Sequence, residues 1–189
     1  MPFRLIVNLI LVLATTLVAG CAALLPKATA ETETSWKSFE DAKRAYDSIE
    51  PGRTTLAELK SLGYDPYLYP NVTVLDNSDV INKYAPASGR DEYLEAGVRE
   101  CLRAQTKCSA YSIDLKQTHR DRVGNFFLDF VNFKRRTEIT GWKFGAVIVI
   151  VNDRVAHKSW SGVPAVHEAE QNTNPLGPLQ DSGPSLLRR

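Results

Sequence analysis

Apolar residues recur at helical spacing early in the chain and at alternate positions late in it. Over residues 36–48, Trp36, Phe39, Ala42, Ala45 and Tyr46 form a one-sided stripe, and Glu50-Pro51-Gly52 ends it. A second helix opens at Thr55-Leu56-Ala57-Glu58. Its Thr55 hydroxyl and Glu58 carboxylate suit a capping box. Leu56, Leu59 and Leu62 make the stripe, and Gly63 is the stop. Residues 64–70 read as a Pro/Tyr loop and 71–75 as a short extended piece. A short helix is predicted from Ser78 or Asp79 to Tyr84, then a break over 86–90. Residues 91–104 are helical in pattern, with Tyr93, Leu94, Val98, Cys101 and Leu102 on one side. From Ser109 the period becomes two. Strands are predicted over 110–116, 126–134 and 143–151, and Asn152-Asp153 turns the last into 154–160 as a hairpin. From Ser161 onward Pro, Gly, Asn and Ser dominate, and the chain from Asn174 reads as irregular. Helices followed by strands predict an α+β fold: N-terminal helices packed on one face of an antiparallel β-sheet, with residues 76–108 as a helical insertion.

The first twenty residues stand apart. Arg4 is their only charge, and residues 5–20 are apolar except for Asn8, Thr15 and Thr16. These 16 residues fall short of the roughly 20 that a spanning helix needs. A basic start, an apolar core and small residues at the end read as a signal peptide over 1–20. Leu17-Val18-Ala19-Gly20-Cys21 resembles the lipobox of bacterial lipoproteins. That resemblance implies cleavage before Cys21 and lipidation of its thiol, so the protein would meet the membrane through an N-terminal lipid. Ala22 follows Cys21 where an aspartate would mark inner-membrane retention. The resemblance therefore implies the outer membrane, with the protein facing the periplasm. Residues 21–35 read as the lipidated end and a flexible tether, reaching on the order of 20 Å as a coil.

Composition narrows the function classes. The chain is 43% hydrophobic and 24% charged, which excludes collagen-like and wholly disordered chains and fits one domain, placed at 36–168 with an irregular tail over 169–189. Lys and Arg number 23 against 22 Asp and Glu. So slight an excess argues against nucleic acid as a partner. Cys101 and Cys108 offer either a redox or metal pair or a disulfide. An oxidising compartment favours the disulfide, because Cys-x-x-Cys spacing is absent and no histidine lies at zinc spacing. His119, His157 and His167 are scattered, and the sequence carries no phosphate loop, no His-Glu-x-x-His and no nucleophile motif. The expectation is no catalysis, no metal and no cofactor.

The stretch from Tyr46 to Gly63 contains Pro51-Gly52-Arg53-Thr54-Thr55 between two helical segments, the second closing on Leu62-Gly63. It resembles the SmpA/OmlA, or BamE-like, family of outer-membrane lipoproteins. The resemblance implies two helices against a three-stranded antiparallel sheet, with Gly52 making the sharp turn and Thr54 and Thr55 starting the second helix. Gly63-Tyr64-Asp65-Pro66 departs from the family's Gly-x-Pro by one residue, and 76–108 is additional. Family members assist the machinery that folds β-barrels into the outer membrane, so the implied partners are envelope proteins, that machinery among them.

Two basic groups flank Gly124: Lys116, His119, Arg120 and Arg122 on one side, Lys134, Arg135 and Arg136 on the other. They read as solvated strand ends or as a patch for acidic lipid or an acidic partner. Phe126 and Phe127 cannot both face inward on a regular strand, so one sits at a bulge or meets a partner. Phe127, Arg135, Arg136 and Trp160 are the candidate partner surface. The expected role is a lipid-anchored, non-catalytic adaptor in outer-membrane biogenesis or envelope integrity. The alternative is a periplasmic module binding a peptide, glycan or protein through the insertion.

Overall fold

The computed structural model describes residues 25–84 and 94–177. The proposed signal peptide and Cys21 lie outside the described residues, as does the tail beyond 177. In chain order the elements are β1 (Lys27–Glu31), α1 (Phe39–Asp47), α2 (Leu56–Ser61), β2 (Val72–Leu75), α3 (Asn77–Tyr84) and α4 (Ala96–Ala104). Then come β3 (Cys108–Val123), α5 (Phe126–Phe130), β4 (Lys134–Val151) and β5 (Arg154–Thr173). The sheet runs β1-β3-β4-β5, with β2 antiparallel to β3 in the register Val72↔Ile113 to Leu75↔Ala110.

This corrects the expected fold class. Strand takes 44% of the described residues and helix 28%, in a mixed fold dominated by one five-stranded antiparallel sheet. The helices are short and scattered between strands, not gathered ahead of the sheet, and they do not share one face of it. On β4, Ala146, Ile148 and Ile150 join a core with Phe39, Ala42 and Tyr46 of α1 and Leu59 of α2. Val147, Val149 and Val151 join a second core with Val80 of α3 and Cys101 of α4. Alternate residues of a strand point to opposite faces, so helices cover both sides here. The apolar run Gly145 to Val151 is the mark of a strand buried on both faces.

Local chemistry explains the helix ends. Ser38 caps α1 by accepting from the Asp41 backbone N–H at 3.1 Å. The Thr55–Glu58 capping box forms as expected: the Glu58 N–H donates to the Thr55 hydroxyl at 3.3 Å, and the Thr55 N–H donates to the Glu58 carboxylate at 2.8 Å. The α3 start is set by Asp76 and Asp79, whose carboxylates each accept from the other's backbone N–H, rather than by Ser78. Asn152 and Asp153 have φ of 50° and 60°, which suits a two-residue hairpin turn.

Three further expectations fail. Residues 27–31 form β1 instead of tether, because their backbone pairs with β3; Thr32 N–H, just past it, reaches the Lys116 carbonyl. Residues 126–134 are not a strand: Asn125 accepts from the Phe127 and Leu128 N–H groups and starts α5, and β4 begins only at Lys134. β5 continues to Thr173, thirteen residues past the strand end expected at Trp160 and into the tail expected from 169. Pro164 is tolerated there because β5 is the sheet's edge.

The described chain divides into two compact units. One holds 25–29, 119–140 and 167–177; the other holds Ala30–Thr118 and Gly141–Val166, less the undescribed 85–93. β3, β4 and β5 each run through both units.

Candidate functional site

The turn that carries the family resemblance is a clip. Gly52, at φ +81°, donates its N–H to the Val155 carbonyl at 2.7 Å. Val155 N–H returns to the Thr54 carbonyl at 2.9 Å, and Leu56 N–H reaches the Asp153 carbonyl at 2.9 Å. Thr54 is buried, and its hydroxyl accepts from the Glu50 N–H at 2.8 Å. Gly52, Thr54 and Thr55 thus fasten the α1–α2 turn that Pro51 opens onto the β4–β5 hairpin, with Thr55 bridged to Arg154. Their polar groups are spent on the fold. A shallow hollow of about 500 Å³ lies beside this clip, lined by Leu56, Lys60, Asn152 and Arg154 among others.

Cys101 and Cys108 lie at disulfide distance, with Cα atoms 5.0 Å apart. Both are buried in the second core, joining the end of α4 to the start of β3. Among the described residues, no group of three or more His, Cys, Asp and Glu side chains is placed to hold a metal. His119 is hydrogen-bonded to Thr29 at 3.3 Å. His157 packs edge-on against Tyr84, and burial holds its imidazole below the usual histidine range although Glu95 pulls the other way.

Trp160 is 46% exposed but occupied. Its ring stacks on Phe144, meets Phe39 edge-on and lies under the Lys43 ammonium at 4.9 Å. Two residues before it, Lys158 donates to the Tyr46 carbonyl at 2.8 Å, at the negative end of α1, and sits over the Tyr46 ring. Burial lowers the Lys158 ammonium from its ordinary value, with Asp47 opposing, and pushes the Tyr46 hydroxyl up to about 12. On the α3/α4 side of the sheet a groove of about 320 Å³ has a floor of small residues, Ser112, Gly145, Ser159 and Ser161, with Asp114 and Lys83 at its sides.

Phe127, Arg135 and Arg136 belong to the other unit. Arg122 and Arg135 both approach Asp129, at 2.9 and 4.0 Å, and Arg136 pairs with Glu138 at 3.1 Å. Arg120 lies 3.8 Å from Glu170. Much of the basic group is thus paired, as solvated strand ends are. The aromatics here give the sharper surface. Phe126 stacks on Phe130 and meets Phe127 edge-on, while Phe127 and Phe130 remain 48% and 73% exposed. Sequence reasoning singles out Phe127 and misses Phe130, Leu128 and Leu176. The signal that could have found them is Asn125, a helix cap at the head of a segment whose apolar spacing imitates a strand.

No family model matches the chain, and neither the curated proteins nor the solved structures yield a match to it.

Proposed function

We propose that this chain is a lipid-anchored, periplasm-facing adaptor at the bacterial outer membrane, acting in envelope biogenesis or integrity by binding and not by catalysis. The lipobox Leu17-Val18-Ala19-Gly20-Cys21 carries this reading. The neighbouring chain supports it. Pro26 lies only five residues beyond Cys21, and its carbonyl accepts from Arg122 N–H at 3.2 Å. A lipid on Cys21 would hold that unit within about 18 Å of the bilayer surface. The polar groups of the Pro51-Gly52 turn and of His119 are engaged in fold-forming bonds, which suits a scaffold. β-Barrel assembly proteins are the partner class to look for first, because the turn resembles the SmpA/OmlA pattern; the anchor, not that resemblance, bears the weight.

The second reading, a periplasmic module binding a peptide or glycan, is favoured by one feature. The groove over Ser112, Gly145 and Ser161 is flanked by Lys83 of the 76–108 segment, and its hydroxyls, cation and carboxylate suit a polar ligand.

Cross-linking in intact cells with mass spectrometry of the captured proteins separates the two. The adaptor should capture envelope proteins, and Cys21→Ala should abolish both the lipid mass and those captures. Equal fractionation of the wild-type and Cys21→Ala chains would refute the anchor. An anchored chain that captures no envelope protein would leave the groove as the working site.

A further inference from the structure

The helix α5 is built inside out. Its one charged residue, Asp129, is buried, and Phe127, Leu128 and Phe130 are exposed. A water-facing helix end selects the reverse arrangement. The inversion is held in place from several directions. Arg122 of β3 donates to the Asp129 carboxylate at 2.9 Å, and Arg135 of β4 approaches the same oxygen. Asn125 caps the first turn. Just after the helix, Phe133 accepts at its carbonyl from Asn174 N–H at 2.9 Å. The Phe133 ring lies so close to Gly177 that an added Cβ there would sit 3.0 Å from it. The segment is thus a braced tip at the β3–β4 connection, with Leu176 exposed as well. Exposed apolar side chains gathered on one braced turn call for an apolar partner.

Chain geometry says which partner. Pro26 is bonded to Arg122, and Arg122 precedes α5 by only four residues. Cys21 is five residues before Pro26, a span of at most about 18 Å. Whatever lipid Cys21 carries is therefore tethered to the strand that leads into this tip. Beside the tip, a cleft of about 260 Å³ is lined by Leu128 together with Lys134 and Arg136. Apolar side chains next to cations match the boundary between acyl chains and phosphate headgroups.

We propose that the α5 tip is a second membrane contact: Phe127, Leu128 and Phe130 enter the interfacial layer of the leaflet that holds the Cys21 lipid, with Lys134 and Arg136 at headgroup level. This deepens the anchor reading and rests on it for the choice of partner. The lipid on Cys21 fixes only the chain end to the bilayer, and a protein-borne apolar wedge fixes the orientation of the unit at the surface.

The test uses the full chain, purified from membranes and placed in vesicles of phosphatidylethanolamine with phosphatidylglycerol. Phe130→Cys carries an environment-sensitive fluorophore, and Thr140→Cys carries the same probe as reference. Thr140 is exposed in the same unit, six residues along β4 from Lys134 and about 20 Å from the start of that strand. The Phe130 probe should shift to the blue, be quenched several-fold more than the reference by spin-labelled lipid, and resist aqueous iodide. Leu128→Cys should behave likewise, which guards against a local effect of losing the ring. Equal iodide quenching at positions 130 and 140 would overturn the proposal. So would shielding that depends on protein concentration without lipid quenching, since that marks a second copy on the tip. The intact mass of the same preparation reads the Cys21 lipid separately. If the lipid is missing, the anchor reading fails by that measurement, and the probes, with protein added to preformed vesicles, still decide the tip.

Discussion

The two ends of strand β4 obey opposite rules. From Phe144 to Val151 nearly every residue is buried, and alternate side chains enter two different cores. From Lys134 to Thr140 only Ile139 is fully buried, and charges stand at Lys134, Arg135, Arg136 and Glu138. What differs is the cover: helices on both faces at one end, and at the other a short helix that turns its phenylalanines outward. Stability should therefore be concentrated in one half and surface function in the other.

Cutting into the doubly buried half breaks this contrast most directly. Ile148→Ala on the α1/α2 side and Val149→Ala on the α3/α4 side should each cost on the order of 2–4 kcal/mol in urea unfolding. Lys134→Ala at the other end should stay within about 0.5 kcal/mol. Comparable losses at all three positions would remove the distinction. Next in size is the Cys101–Cys108 link, which closes a short loop under the second core. Cys101→Ala with Cys108→Ala, or reduction of the wild type, should cost about 2–3 kcal/mol. The same reductant should have no effect on the double variant. The smallest effect sharpens the picture by pH. Burial against Tyr84 lowers the His157 pKa in the folded state, with Glu95 opposing. The unfolded chain then binds the proton more readily than the folded one, so stability falls as pH drops below the ordinary histidine value of about 6.5 and levels off beneath the folded pKa. His157→Asn should flatten that slope in melting curves taken across mildly acidic pH.

Parts of this were open to reading in the chain itself. The Thr55–Glu58 box, the stop at Gly63 and the Asn152-Asp153 turn need only near neighbours, so local sequence encodes them completely. The unbroken apolar run into Val151 already called for cover on both faces, and one-sided packing contradicted it. By contrast, β1 and the far half of β5 are exposed at nearly every residue. Their side chains carry no burial period, and their backbones are ordered by partners far along the chain. Gly162, Pro164 and Asn172 look like loop residues for that reason.

The candidate surfaces divide in the same way. The proposed role of Cys21 rests on a short linear motif alone and needs no folded structure to be read. Cys101 and Cys108 stand out by their spacing, and folding brings them to bonding distance in a buried core. The inverted helix could not be read from residues 126–130, since Phe-Phe-Leu-Asp-Phe suggests buried rings and a solvated aspartate. Arg122 and Arg135, from strands on either side, draw Asp129 inward and leave the rings outside. The sequence by itself determined the helix caps and the hairpin turn, which are set by contacts within a few residues, and an apolar run that needs cover on both faces. Only the tertiary structure decided how far the strands run, which faces the helices cover and which way α5 points, because each depends on groups brought together from distant parts of the chain.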